Sequence, residues 1–168
     1  MAADRGSVSV AGTTNSAHSY YLAGNGAALI LAGLLCGLVI PAATYPRLML
    51  TAHIQFLVNG MISVFAGLML RTAIATVGQR SATLIVGAHV SVWVVCFSEV
   101  FAAITGAKNA LPIAAAQAGA PGAVAWQELL VVACHMVPAL FLIVAWALLV
   151  FGMYTGFVTR HDRSTPDR

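Results

Sequence analysis

Charge is the scarcest property of this sequence: 8% of its 168 residues are Asp, Glu, Lys or Arg, against roughly 25% in an ordinary soluble domain. Hydrophobic residues make up 60%, and the mean hydropathy is +0.90. A chain of this length cannot bury that much apolar surface within itself, so the surface must face lipid, and a soluble globular fold is excluded. Cysteine is also sparse. Cys36, Cys96 and Cys134 all lie inside apolar stretches without CxxC spacing, which excludes a disulfide framework and leaves small apolar packing as their role. The eight Lys and Arg residues are scattered, and no basic cluster is interleaved with aromatics, so a nucleic-acid partner is excluded. The chain has no GxSxG, no HExxH, no P-loop and no GxGxxG after a strand. It has no internal repeat and no inverted half-to-half similarity, which argues against a transporter.

What is present is a set of long apolar runs. A bilayer core of about 30 Å needs about 20 mostly apolar residues at 1.5 Å each. Four runs qualify: Leu22 to about Tyr45, Leu48 to Leu70, Ala82 to Thr105, and about Val124 to Phe151. Pro41 and Pro46 in PAATYPR stop a helix and predict a tight hairpin between the first two. After GAKN, the Ala/Gly/Pro-rich stretch LPIAAAQAGAPGA is expected at the membrane surface as a lid. The fold class expected is all-α, a four-helix transmembrane bundle. Residues 1–20 read as a disordered cytoplasmic tail, 21–158 as the membrane domain and 159–168 as a second cytoplasmic tail. With four crossings, Arg5, Arg71, Arg80, Arg160, Arg163 and Arg168 share one side and Arg47 and Lys108 the other. The positive-inside rule then puts both termini in the cytoplasm of a bacterial-type inner membrane.

Inside the spans, His53, His89, Glu99, Glu128 and His135 are the titratable groups beside the thiols and tyrosines, with Asn25 and Asn59 as notable amides. Each is costly in hydrocarbon and must face protein, a cofactor or water. His53 begins a stripe His53, Leu57, Gly60, Val64, Gly67 at about 100° per residue. An imidazole above glycines is what an axial haem ligand requires, with Gly60 leaving room for the macrocycle; the alternative is a histidine bonded to a neighbouring helix's carbonyl. Asn59 lies about 120° round the helix from His53. It can orient a polar substrate atom or bridge helices. Glu128 opens the fourth helix in AWQELL, where the helix dipole favours a carboxylate, so capping and catalysis both suit it. Glu99 calls for a partner, His89 or His135. His135 precedes Pro138, a pair suited to a kink with a local hydrogen bond. Gly33 and Gly37 in GLLCG are expected to serve plain helix packing.

The stretch GLVIPAATYPRLMLTAHIQFLVNG, Gly37 to Gly60, resembles the membrane-bound hydroxylaminobenzene mutases, as do AAITGAKNALPIA, Ala102 to Ala114, and WQE, Trp126 to Glu128. The chain is also similar, more distantly, to the styrene oxide isomerases, through the His-x5-Asn-Gly spacing on the second helix. The resemblance implies ferric haem b bound by His53, Asn59 orienting a small aromatic substrate, and a homotrimer with haem between neighbouring subunits. It further implies an intramolecular rearrangement, hydroxylaminobenzene to 2-aminophenol or aryl epoxide to aldehyde. Where these families begin the first helix with Gly-His-Gly, this chain has Gly24, Asn25 and Gly26. Its third helix has Glu99 where an aromatic or amide is expected. Two rival readings come from the residues alone. Three histidines on three helices suit a b-type cytochrome or quinone-reactive membrane anchor subunit, and the polar residues also suit a membrane protein that uses them only for helix association.

Overall fold

The computed structural model of the chain describes the backbone of residues 7–164 and the side chains of residues 16–158. Five α-helices occupy the described residues: α1 (Ser7–Val39), α2 (Pro46–Arg71), α3 (Gln79–Thr105), the short α4 (Pro112–Ala118) and α5 (Ala125–Ser164). Proline and glycine set several of their ends. Pro46 and Pro112 open α2 and α4, at positions whose N–H has no partner in the helix. Gly106 and Gly119 close α3 and α4 in the left-handed conformation, at φ +78° and +65°.

Four helices are long and apolar enough to cross a membrane, over Ser16–Ala42, Pro46–Arg71, Gln79–Thr105 and Ala125–Val158. The all-helical, four-span reading therefore holds. α1 runs through residues 7–20, and α5 continues past residue 158 to Ser164. Residues 1–6 and 165–168 of the expected tails lie outside the described residues. The stretch expected as a surface lid holds α4, tied to α2 by a hydrogen bond from Arg47 Nε to Gln117 Oε1 at 2.7 Å.

The bundle is built as two pairs. α1 packs along α2 and α3 along α5, while α3 joins the pairs through α2 and α1; α2 and α5 hardly meet. The α1–α2 pair owes its closeness to two glycines. A Cβ on Gly26 would lie 2.5 Å from Gly60 O, and one on Gly60 would lie 2.6 Å from Ile30 Cγ1, so at this crossing only hydrogen fits. One apolar cluster, including Leu48, Phe56 and Cys96, sits toward the α4 end of the bundle. A second, including Leu22, Leu70 and Leu149, sits toward the other end. Asn25 ties the layer between them. Its Nδ2 donates to Ser63 Oγ (3.1 Å) and His89 O (3.2 Å), and its Oδ1 accepts from Trp93 Nε1 at 2.8 Å. Through these three bonds Asn25 joins α1, α2 and α3.

Candidate functional site

His53 sits on the second turn of α2, about 10 Å below its start at 1.5 Å per residue. Its Nδ1 lies 2.7 Å from Gly33 O on α1. A Cβ on Gly37 would lie 2.9 Å from both Nδ1 and Cε1 of that ring, so the glycine leaves the notch the imidazole fills. GLLCG, expected as plain packing, is therefore the seat of the histidine. A ring nitrogen facing a carbonyl must carry the proton, so Nδ1–H donates to Gly33 O. Nε2 then presents its lone pair and receives no hydrogen bond from any described residue, while the side chain as a whole is half-buried.

The floor expected beneath His53 is filled. Gly60 is buried and meets Gly26 and Ile30 of α1, and Gly67 meets Ser19 and Ala23. Periodicity had put these glycines on the face of His53, and they are there; the backbone of α1 lies on them, so Gly60 serves the helix crossing and offers a macrocycle no bare surface.

Asn59 points elsewhere. Because α2 and α5 stand apart, a cavity of about 190 Å³ remains between them, backed by Val92 and Val95 of α3. Gln55, Asn59, His135 and Pro138 are among the residues that line it. An engineered apolar cavity of about 150 Å³ binds benzene, so this one has room for a single substituted ring. Asn59 Nδ2 donates to Gln55 O at 2.9 Å, and its Oδ1 accepts from no described residue. Gln55 lies one turn from Asn59 and was not singled out by sequence. The signal was there: an amide in an apolar span carries the same cost as Asn59.

His135 closes the cavity with both ring nitrogens engaged. Nδ1 faces Val131 O at 2.8 Å, with Ser98 Oγ at 3.3 Å, and Nε2 lies 3.1 Å from Glu99 Oε1. Of the two partners expected for Glu99, the structure selects His135, and the local bond expected before Pro138 is the one to Val131. Glu99 is 2% exposed, and its Oε2 has no hydrogen-bond partner. His89 bonds Ile85 O through Nδ1 at 2.8 Å and packs against Trp146, with Nε2 buried and unpartnered. The three histidines thus engage three different sets of neighbours, and no cluster of three or more metal-binding side chains occurs among the described residues.

Glu128, in the first turn of α5, is 7% exposed. Its Oε1 accepts from Lys108 N (3.0 Å) and Ala123 N (2.9 Å), and its Oε2 from Asn109 N (2.9 Å) and Lys108 N (3.1 Å). Both ends of the α3–α5 connection are stitched to the helix start by one carboxylate, and Glu128 is absent from the lining of the Asn59–His135 cavity. Its geometry is that of the capping alternative. The structure therefore brings Asn59, His135 and Glu99 together, sets His53 against α1, and holds Glu128 at the connection.

The chain is 39% identical over 49 residues to hydroxylaminobenzene mutase HabA of Ectopseudomonas oleovorans, a stretch that covers 29% of this chain and 36% of the relative. The match thus spans about a third of that curated relative's length. No solved structure matches the chain. The family signature of styrene oxide isomerase matches residues 18–154, which takes in all four spans and nearly every side chain described above. This histidine-bearing chain with four apolar spans carries the signature over most of its length and belongs to the styrene oxide isomerase family.

Proposed function

We propose that this chain is a multi-pass enzyme of the bacterial inner membrane that rearranges a small aromatic molecule within itself, hydroxylaminobenzene to 2-aminophenol being the type reaction, with ferric haem b held by His53. The observation that carries the reading is the His53 ring, pinned through Nδ1 to Gly33 O at 2.7 Å with Nε2 unclaimed, in a chain of this family. An axial imidazole needs one nitrogen fixed by a backbone acceptor and the other free for iron, and His53 meets both conditions. When bound, ferric haem supplies a Lewis acid for the substrate oxygen.

The remaining work falls to the chain. Asn59 offers a free amide oxygen inside the α2–α5 cavity, suited to an N–H of an aryl hydroxylamine. The apolar lining, Val92, Val95 and Leu142 among it, keeps water from a ring that carries developing positive charge. Glu128 enters as the residue that holds the connection above the bundle, not as an acid–base group. His53 and Asn59 stand about 120° apart on α2 and cannot meet one substrate in a single chain. A homotrimer resolves this, since each copy's outward-facing His53 can meet the cavity side of the next. The family signature supports a second substrate class, aryl epoxides isomerised to aldehydes.

The test is the absorption spectrum and pyridine haemochrome of the detergent-purified protein, with haem-to-chain ratio, repeated on His53→Ala. A b-type haem in wild type that falls roughly 10- to 100-fold in the variant, together with turnover of hydroxylaminobenzene, is expected. Haem and turnover both surviving His53→Ala would sink the reading.

A further inference from the structure

Resting on the mutase reading above, we propose that His135 and Glu99 form a proton-carrying pair, in which the His135 ring turns its Nε2 from Glu99 Oε1 toward the α2–α5 cavity to exchange a proton with the substrate, and Glu99 positions and recharges it. The geometry supplies the parts. His135 lines the cavity opposite Asn59. Its Nδ1–H is committed to the Val131 carbonyl, so Nε2 and Glu99 Oε1, 3.1 Å apart, share one proton. With that proton the pair is neutral as a whole, whichever atom holds it, and this is the state a lipid-embedded site tolerates. Glu99 Oε2 is buried without a partner, at a cost in stability. Helix packing alone gives no reason for a carboxylate with one satisfied oxygen at this place.

The chemistry needs such a pair for one substrate class and not for the other. In the rearrangement of hydroxylaminobenzene the N–O bond breaks and a C–O bond forms at the ortho carbon. That carbon then bears one hydrogen too many for an aromatic ring, and the nitrogen one too few for an amine. Taking a proton from the carbon and giving one to the nitrogen restores the ring and yields 2-aminophenol, with no net gain or loss of protons or electrons. The His135–Glu99 pair accepts the first proton and returns the second. In an aryl epoxide the hydrogen migrates internally as hydride, carbon to carbon, and no proton leaves the molecule.

The experiment compares both substrates on the full-length membrane protein and on Glu99→Gln, which keeps a hydrogen bond to His135 but cannot hold or release the proton. Turnover of hydroxylaminobenzene is expected to fall about 10²- to 10⁴-fold with an enlarged solvent isotope effect, while styrene oxide turnover stays within about twofold, because only the first reaction moves a proton through a side chain. Glu99→Asp, which retains a carboxyl, is expected to recover part of the loss. Equal losses on both substrates, or none on hydroxylaminobenzene, overturn the proposal. A second arm needs no turnover: 2-aminophenol is added to wild-type protein and the difference infrared spectrum is recorded. A shifted carboxyl band that Glu99→Gln abolishes is expected, and its absence overturns the proposal. If the wild type rearranges neither substrate, or only the epoxide, the mutase reading fails by itself and the infrared arm still decides this one.

Discussion

At the scale of single residues, the chain shows how one side chain is prepared by the absence of another. His53 can leave Nε2 unclaimed because Gly37 has no Cβ and because the carbonyl of Gly33 takes Nδ1–H. Gly37→Val is therefore expected to tilt the imidazole off that carbonyl and to cut haem content roughly 10- to 100-fold, the usual loss when a ligand's supporting partner is removed. Circular dichroism should show unchanged helix content. Gly24→Ala is the control, since nothing lies within 4 Å of a Cβ there. A Gly37→Val protein with full haem content would show that the notch does not hold the ring. Much of this was legible. An imidazole, a carboxylate or an amide among apolar residues stands out, and the cost argument picked out His53, Glu99, Asn59 and His135. What covers each face was not legible, because helical periodicity says which residues share a stripe and nothing about what packs on it. Hence the glycines below His53 were read as an open floor, and α1 fills them.

At the scale of elements, the spans were fixed by hydropathy, with Pro41 and Pro46 readable as the break between the first two and GAKN as the end of the third, whereas α4, opened by Pro112 and closed by Gly119, lay hidden in a stretch read only as a surface lid. The α3–α5 connection was less readable. Its conformation depends on one carboxylate meeting backbone amides 20 residues before it, at Lys108, and five residues before it, at Ala123. Glu128→Gln replaces one acceptor oxygen by a donor, which turns two of those amides toward an N–H. Leaving buried donors unpaired costs about 1–3 kcal/mol. Amide exchange at Lys108, Asn109 and Ala123 should quicken roughly 5- to 100-fold, while exchange in the middle of α3 stays slow, as measured by hydrogen–deuterium exchange. Unchanged exchange with lost turnover would instead return Glu128 to an acid–base role.

At the scale of the whole molecule, the bundle is held from within by α2 and α3, while α1 and α5 each bury only 22% of their most apolar window. The positive-inside rule predicts that the Arg71 and Arg80 end faces the cytoplasm. Thr72→Cys and Asn109→Cys place thiols at exposed positions at opposite ends of the bundle. In intact cells a membrane-impermeant maleimide should label the thiol at position 109 and spare the one at 72, and the reverse pattern would invert the topology. Nothing in one sequence could show that His53 and Asn59 serve different neighbours, since that depends on where α1 and α5 settle around α2. The gap left between α2 and α5 has a consequence for how the protein's kinetics must be expressed. Met136, on the cavity's rim, is 58% exposed, so the cavity opens on the flank of the bundle, within the membrane-spanning part of α5. For a ligand that enters there, the bilayer is the solvent, and occupancy follows its mole fraction among lipids. Added inert lipid then dilutes the ligand as surely as added water dilutes a substrate of a soluble enzyme.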